Sequence, residues 1–264
     1  SSLKVVNQFE TQEYKDFLKL QYDWYKKGYI RKDIVTAIKN SPEDINNGKY
    51  IAKVVMNIKP NADEELSAAS KVGTVWKSQA ITKPLVTTDR AIATMTAISK
   101  TSGNPERAMM CIELLNTYEK IFNTLACGIE NTHWVKTGDR QIDFAPGLDS
   151  MTSGYYPNTA WMFGRQALAY YWPNEKVGIW DECEQLNKEA EASPLLGFNY
   201  DPEPVSSESA KISAVLTELS VPLSTGGLDP DEYLPKLLER LKNAGADKVI
   251  AEKQRQLDQW LASK

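Results

Sequence analysis

The chain has 264 residues, of which 42% are hydrophobic and 25% charged, the composition of an ordinary globular protein with mass for one large domain or two modest ones. Lysine and arginine number 31 against 35 acidic residues, a net charge of −4, and no Lys/Arg block appears locally. Nucleic acid is therefore not an expected partner. Mean hydropathy is −0.45, and no apolar run approaches the ~20 residues of a membrane span.

In chain order, Thr11 reads as the N-cap of a first helix that Gly28 ends, with an apolar face of Tyr14, Phe17, Leu18, Tyr22 and Tyr25. A short helix is expected over Asp33–Lys39. Another opens at Ser41-Pro42-Glu43, with proline at the first helical position. The β-branched content of Tyr50–Ile58 predicts a buried strand, and Thr74–Ile81 and Ala93–Ser99 read as two more. Asn104-Pro105-Glu106 starts a helix whose core face is Ala108, Cys111, Ile112 and Leu115. A second helix, from Thr117 to Gly128, buries Ile121, Phe122 and Leu125 and forms an αα-hairpin with the first. Trp134–Lys136 and Gln141–Phe144 suggest two short strands. Further helices are expected over Ile179–Ala192, Ser207–Leu219, Tyr233–Ala244 and Asp247–Leu261, the third starting late because Pro235 removes a helical N–H.

The chemistry-bearing residues exclude several site types. Cys111, Cys127 and Cys183 lie far apart inside helical patterns, with no C-x-x-C pair, and read as small core residues. No metal site and no cofactor are expected. His133 is the single histidine, and no G-x-S-x-G elbow, P-loop or G-x-G-x-x-G accompanies it. Glu182, Glu184 and Glu189 read as the solvated side of one helix, Ser224-Thr225-Gly226-Gly227 as a plain turn, and Lys77 and Arg165 as surface cations.

Aromatic residues concentrate in one stretch: Phe144, Tyr155, Tyr156, Trp161, Phe163, Tyr170, Tyr171 and Trp172. Trp and Tyr in irregular segments offer flat apolar faces for the C–H faces of sugar rings, with amides and carboxylates beside them for the hydroxyls. The other reading of the same stretch is a core between short helices. As candidate ligand contacts we take Trp76, Gln79, Trp134, Tyr155, Tyr156 and Trp161.

Several motifs resemble, in order and spacing, those of bacterial extracellular solute-binding proteins of ABC transporters, of the family 1 lipoprotein type that ends in a C-terminal domain of unknown function. They are Phe9-Glu10-Thr11, then Leu20-Gln21-Tyr22-Asp23-Trp24-Tyr25-Lys26-Lys27-Gly28-Tyr29-Ile30, and Ala97-Ile98-Ser99-Lys100 followed by Asn104-Pro105-Glu106-Arg107-Ala108-Met109. Leu114-Leu115-Asn116-Thr117, Gly128-Ile129-Glu130 with His133, Trp161-Met162-Phe163-Gly164, Gly197-Phe198 and the terminal Gln254-Arg255-Gln256-Leu257-Asp258-Gln259-Trp260 complete the set.

The resemblance implies a helix-rich α/β chain forming the C-terminal part of a type II periplasmic-binding-protein fold, which closes on its ligand about a hinge. It places the remainder of the solute-binding lobes in residues 1–128, with the hinge crossing near 92–99, and a family-specific domain in 129–264. It implies non-catalytic capture of a small solute, an oligosaccharide, for an ABC importer, with the permease subunits as partners. The protein would sit outside the cell as a surface lipoprotein, anchored through an N-terminal segment that this chain does not contain. Fold-level analogy does not fix function by itself. Two alternatives stay open: an interaction or structural domain of a surface lipoprotein, and a carbohydrate-active enzyme, which would need two carboxylates about 5–10 Å apart.

Overall fold

A computed structural model describes residues 3–36, 42–55 and 59–264. Among the described residues the α-helices are α1 (Gln12–Lys26), α2 (Pro42–Asn46), α3 (Ala62–Ala68), α4 (Thr88–Ala91), α5 (Pro105–Thr117), α6 (Glu119–Cys127), α7 (Ile179–Glu189), α8 (Ser206–Ser224), α9 (Pro230–Asn243) and α10 (Ala246–Ala262). The strands are β1 (Leu85–Val86), β2 (Trp134–Gly138), β3 (Gln141–Phe144) and β4 (Glu191–Ala192). β1 pairs in parallel with β4, and β2 with β3 as an antiparallel hairpin. The chain divides into two compact units, one of residues 1–40 with 197–264, the other of residues 41–196.

The first unit is helical and discontinuous in sequence. Thr11 caps α1 by accepting the Tyr14 N–H, and Asn7 caps the short 3-10 turn ahead of it. Leu18, wholly buried, meets Leu219, Leu223, Leu234, Leu237 and Leu241 of α8 and α9, with Tyr14 and Phe9 at the margin. The face of α1 is thus narrower than its sequence suggests, since Phe17 stands 41% exposed. Gln254 of α10 ties down the N-terminal segment: its side-chain oxygen accepts the Val5 N–H at 2.7 Å and its amide donates to the Leu3 carbonyl at 3.1 Å. Gln256 holds residue 201 in the same two-way manner, 2.9 Å each way. These pairings give the glutamines of the terminal motif a structural task.

α9 begins at Pro230, capped by Asp229, and runs through Pro235, contrary to the late start expected from that proline. The N–H that Pro235 lacks would have bonded the Asp231 carbonyl in the first turn, and Asp231 is exposed to solvent there. α8 likewise continues past Leu219, through Pro222 to Ser224, and the Pro222 carbonyl accepts the Gly227 N–H at 2.8 Å.

The second unit is built on α6 and the β2–β3 hairpin. Phe122, Ala126 and Cys127 of α6 pack with Trp134, Ile142 and Ala169. Leu125, expected inside, is 40% exposed, and Asn123 takes a buried position instead. Tyr118 alone separates α5 from α6, as the hairpin pattern requires. Asn104 caps α5 through the Arg107 N–H at 2.9 Å, yet no residue of α5 is buried, and Cys111 is exposed rather than part of a core. The division expected after residue 128 runs through the packing of α6 on β2 and β3.

Among the described residues, three of the strands read from sequence are not formed. Residues 50–55, 74–81 and 93–99 are irregular and mostly exposed, and residues 56–58 of the first lie outside the described residues. β-branched composition suits a pleated surface but makes a strand only beside a partner, and among the described residues none runs alongside. The helix expected over 33–39 is a run of turns as far as residue 36, the rest lying outside the described residues.

Candidate functional site

The aromatic stretch is fixed from beneath by two polar side chains. Asn123, 1% exposed, donates to the carbonyls of Glu119 (2.9 Å) and Leu168 (2.8 Å) and accepts the Tyr170 N–H at 2.8 Å. Arg140 donates to the carbonyls of Ala167 and Ala169 and lies 5.2 Å over the Tyr171 ring. Backbone bonds from Tyr171 N to Arg140 O and from Ile142 N to Tyr171 O add residues 170–172 to the edge of β3. These bonds tie the backbone of residues 167–171 to α6 and β3, so the rings it carries hold fixed positions.

What the seam presents is a triangle of half-buried rings. Phe144 lies 4.5 Å from Trp172 and 5.2 Å from Tyr156, and Tyr156 meets Trp172 edge-on at 5.0 Å. Glu175 adjoins the triangle, one oxygen accepting the Trp172 N–H at 3.0 Å. Burial pushes this carboxyl above its ordinary value, offset in part by the Trp172 N–H and by Lys59. Lys59 stands 3.8 Å from Glu175 and 2.6 Å from Glu65, its ammonium 5.7 Å from the Trp180 ring centre. Asn61, 5% exposed, donates to Glu65 at 3.0 Å, and its side-chain oxygen is buried without a partner. Flat apolar faces beside fixed carboxylates, an ammonium and an amide form a surface suited to a hydroxyl-rich ligand.

Residues 194–262 match the family described as Domain of unknown function (DUF3502). Over 266 aligned residues, covering 99% of it, the chain is 30% identical to a carbohydrate ABC transporter substrate-binding protein of Streptococcus pneumoniae. Crystal structures of the N-glycan transport solute binding protein (NgtS) of Streptococcus pneumoniae align over 98% of the chain, one with a TM-score of 0.74 at 27% identity. The same protein in complex with Man1GlcNAc aligns with a TM-score of 0.70 at 30% identity. The chain is homologous to ABC-transporter solute-binding proteins. It spans about half their length, 52% of the curated relative and 56–57% of the crystallised chains, and corresponds to the C-terminal part.

The six side chains chosen from sequence do not converge. Tyr156 belongs to the ring triangle. Trp134 is 6% exposed and spends its indole N–H on the Gly128 carbonyl at 3.1 Å, so it is a core residue with no face left for a ligand. Tyr155 donates its hydroxyl to Leu125 O at 2.7 Å and lies 5.6 Å from His133. Trp161 sits 52% exposed in a 3-10 turn. Trp76 lies along α3, its N–H bonded to Ser67 at 2.9 Å and its indole nitrogen buried without a partner, while exposed Gln79 bonds the Ala80 carbonyl. His133 accepts the Ile129 N–H at its Nδ1, a local brace.

Sequence reasoning passed over Lys59, Asn61, Glu65, Glu175 and Trp180. The first three lie in a polar stretch, Lys59–Ala69, that reads from sequence as a loop or a short surface helix. Glu175, three residues after Trp172, had a signal in that spacing, but nothing local told it from a surface acid. Other charges are paired as expected of surface groups: Arg165 with Glu184 at 3.0 Å and Lys176 with Glu182 at 2.7 Å. Among the described residues no cluster of three metal-ligating side chains occurs and no helix is long and apolar enough to cross a membrane.

Proposed function

We propose that this chain is the ligand-contacting, C-terminal part of an extracellular receptor that captures an oligosaccharide and presents it to an ABC importer. The observation that carries the reading is the ring triangle of Phe144, Tyr156 and Trp172 set against Glu175, in a chain similar along its length to a carbohydrate ABC transporter substrate-binding protein. Sugars built from mannose and N-acetylglucosamine are the first ligands to try, since the crystallised relative binds Man1GlcNAc and Man5GlcNAc. Residues 92–99, irregular and mostly exposed, serve as the hinge segment. The protein acts from the cell surface as a lipoprotein, with permease subunits as its partners.

Capture without turnover fits the side chains. Glu175, beside the rings, and Glu65 share one ammonium, Lys59, an arrangement that pairs these carboxylates rather than setting them apart as the acid and base of glycoside cleavage.

Tryptophan fluorescence titration with manno-, chito- and cello-oligosaccharides tests the reading. Saturable quenching is expected from the wild-type chain, and its loss from Trp172→Ala with the circular dichroism spectrum unchanged. Absence of saturation with every sugar, or saturation that Trp172→Ala and Tyr156→Ala both leave intact, overturns it. Release of new reducing ends would point to an enzyme instead.

A further inference from the structure

We propose that the polar cluster beside the rings, Lys59, Asn61, Glu65 and Glu175, makes this site selective for neutral sugars and excludes those carrying a carboxylate, such as uronic acids. The inference rests on the carbohydrate reading above and adds a rule of selection to it. Two carboxylates face one ammonium here: Lys59 Nζ lies 2.6 Å from Glu65 and 3.8 Å from Glu175. The side chains are one-fifth to one-third exposed, within a ligand's reach yet shielded enough that water screens them poorly. The cation that follows Glu175 in the chain, Lys176, is engaged by Glu182 at 2.7 Å and has no surplus charge to lend.

Asn61 supplies the second half of the argument. It is 5% exposed, its amide N–H fixed on Glu65 and its side-chain oxygen buried with nothing to accept from. That oxygen accepts a hydrogen bond and offers none. With two carboxylates around it, the cluster is rich in acceptors and rewards hydroxyl donors. A sugar carboxylate brings more acceptors and a like charge against Glu175. An acceptor-rich, net-negative wall raises the free energy of the wrong ligand without adding a contact to the right one.

The test compares each oligosaccharide of the panel above with its C6-carboxylated counterpart, by the same fluorescence titration at low salt. Wild-type chain is expected to bind the neutral form at least about tenfold more tightly. Glu65→Gln and Glu175→Gln should each narrow that ratio at least about threefold, and Lys59→Met should widen it. Glu218→Gln removes the same charge from an exposed ion pair with Arg240 on other helices, and should leave the ratio where it was. Equal affinity of the two forms for the wild-type chain, or a ratio that moves as much in Glu218→Gln as in the cluster variants, overturns the proposal while the carbohydrate reading stands. Failure of every neutral sugar to saturate overturns both.

Discussion

The side-chain oxygen of Asn123 accepts the backbone N–H of Tyr170 at 2.8 Å, forty-seven residues away, while its amide donates to the Leu168 carbonyl. One buried side chain thereby closes both free backbone groups of the segment that carries Tyr170, Tyr171 and Trp172. Replacing it by Leu leaves those groups buried and unpaired, at a cost of about 3 kcal/mol. Urea denaturation should show this loss, and sugar affinity should fall with it. A change under about 0.5 kcal/mol would mean that the seam finds other partners.

Glu175 gives a pH dependence of unusual sign for a carboxyl. Burial raises its value in the folded chain above the ordinary 4.5, so the native state holds this proton more tightly than the unfolded state does. Between the ordinary and the raised value stability falls as pH rises, and the penalty is complete above the raised value. Glu175→Gln should therefore have a higher Tm than wild type at pH 7, with the difference closing below pH 4.5. A lower Tm at pH 7 would show that the Lys59 contact outweighs desolvation.

Gly128 has φ of +89°, and a Cβ built there would stand 2.6 Å from His133 Nδ1 and 2.9 Å from the Tyr155 ring. Its carbonyl also holds the Trp134 indole. Gly128→Ala should cost about 2 kcal/mol or more, since strain and clash fall on the same residue. Thermal unfolding would read it, and an unchanged Tm would refute this account of the turn.

The three cysteines should separate by reactivity. Cys111 is exposed, Cys183 is half-buried with its thiol raised by burial, and Cys127 is buried with its thiol pushed up to about 12. A thiol reagent at pH 8 should label Cys111 first, Cys183 slowly, and Cys127 only on unfolding. Early modification of Cys127 would mean that α6 opens readily from the hairpin.

Helix ends were the most legible part of the sequence. Thr11 and Asn104 cap the helices they were expected to cap, because a capping oxygen bonds a backbone N–H only two or three residues away and its meaning is local. The β2–β3 hairpin was readable for the same reason. The strands read at 50–58, 74–81 and 93–99 were not, since a strand's existence is decided by a partner that the segment itself does not encode. The site divides along the same line. The aromatic stretch announced itself by composition, but Lys59 and Glu65 reach Glu175 across more than a hundred residues, and no local spacing records that meeting. Trp134, offered by sequence as a ligand contact, is buried in the structure because burial depends on the packing of α6 against β2, which hydropathy alone does not reveal.

The Gln254 bonds to Leu3 and Val5 join residues some 250 positions apart. α1 leaves the ribosome well before α8 and α9, the helices that bury Leu18. The first unit must wait for residues 197–264, while residues 41–196 can collapse as soon as they emerge. Loss of α10 alone would release residues 3–5, so damage at that helix should be felt as proteolytic cleavage in the segment ahead of α1.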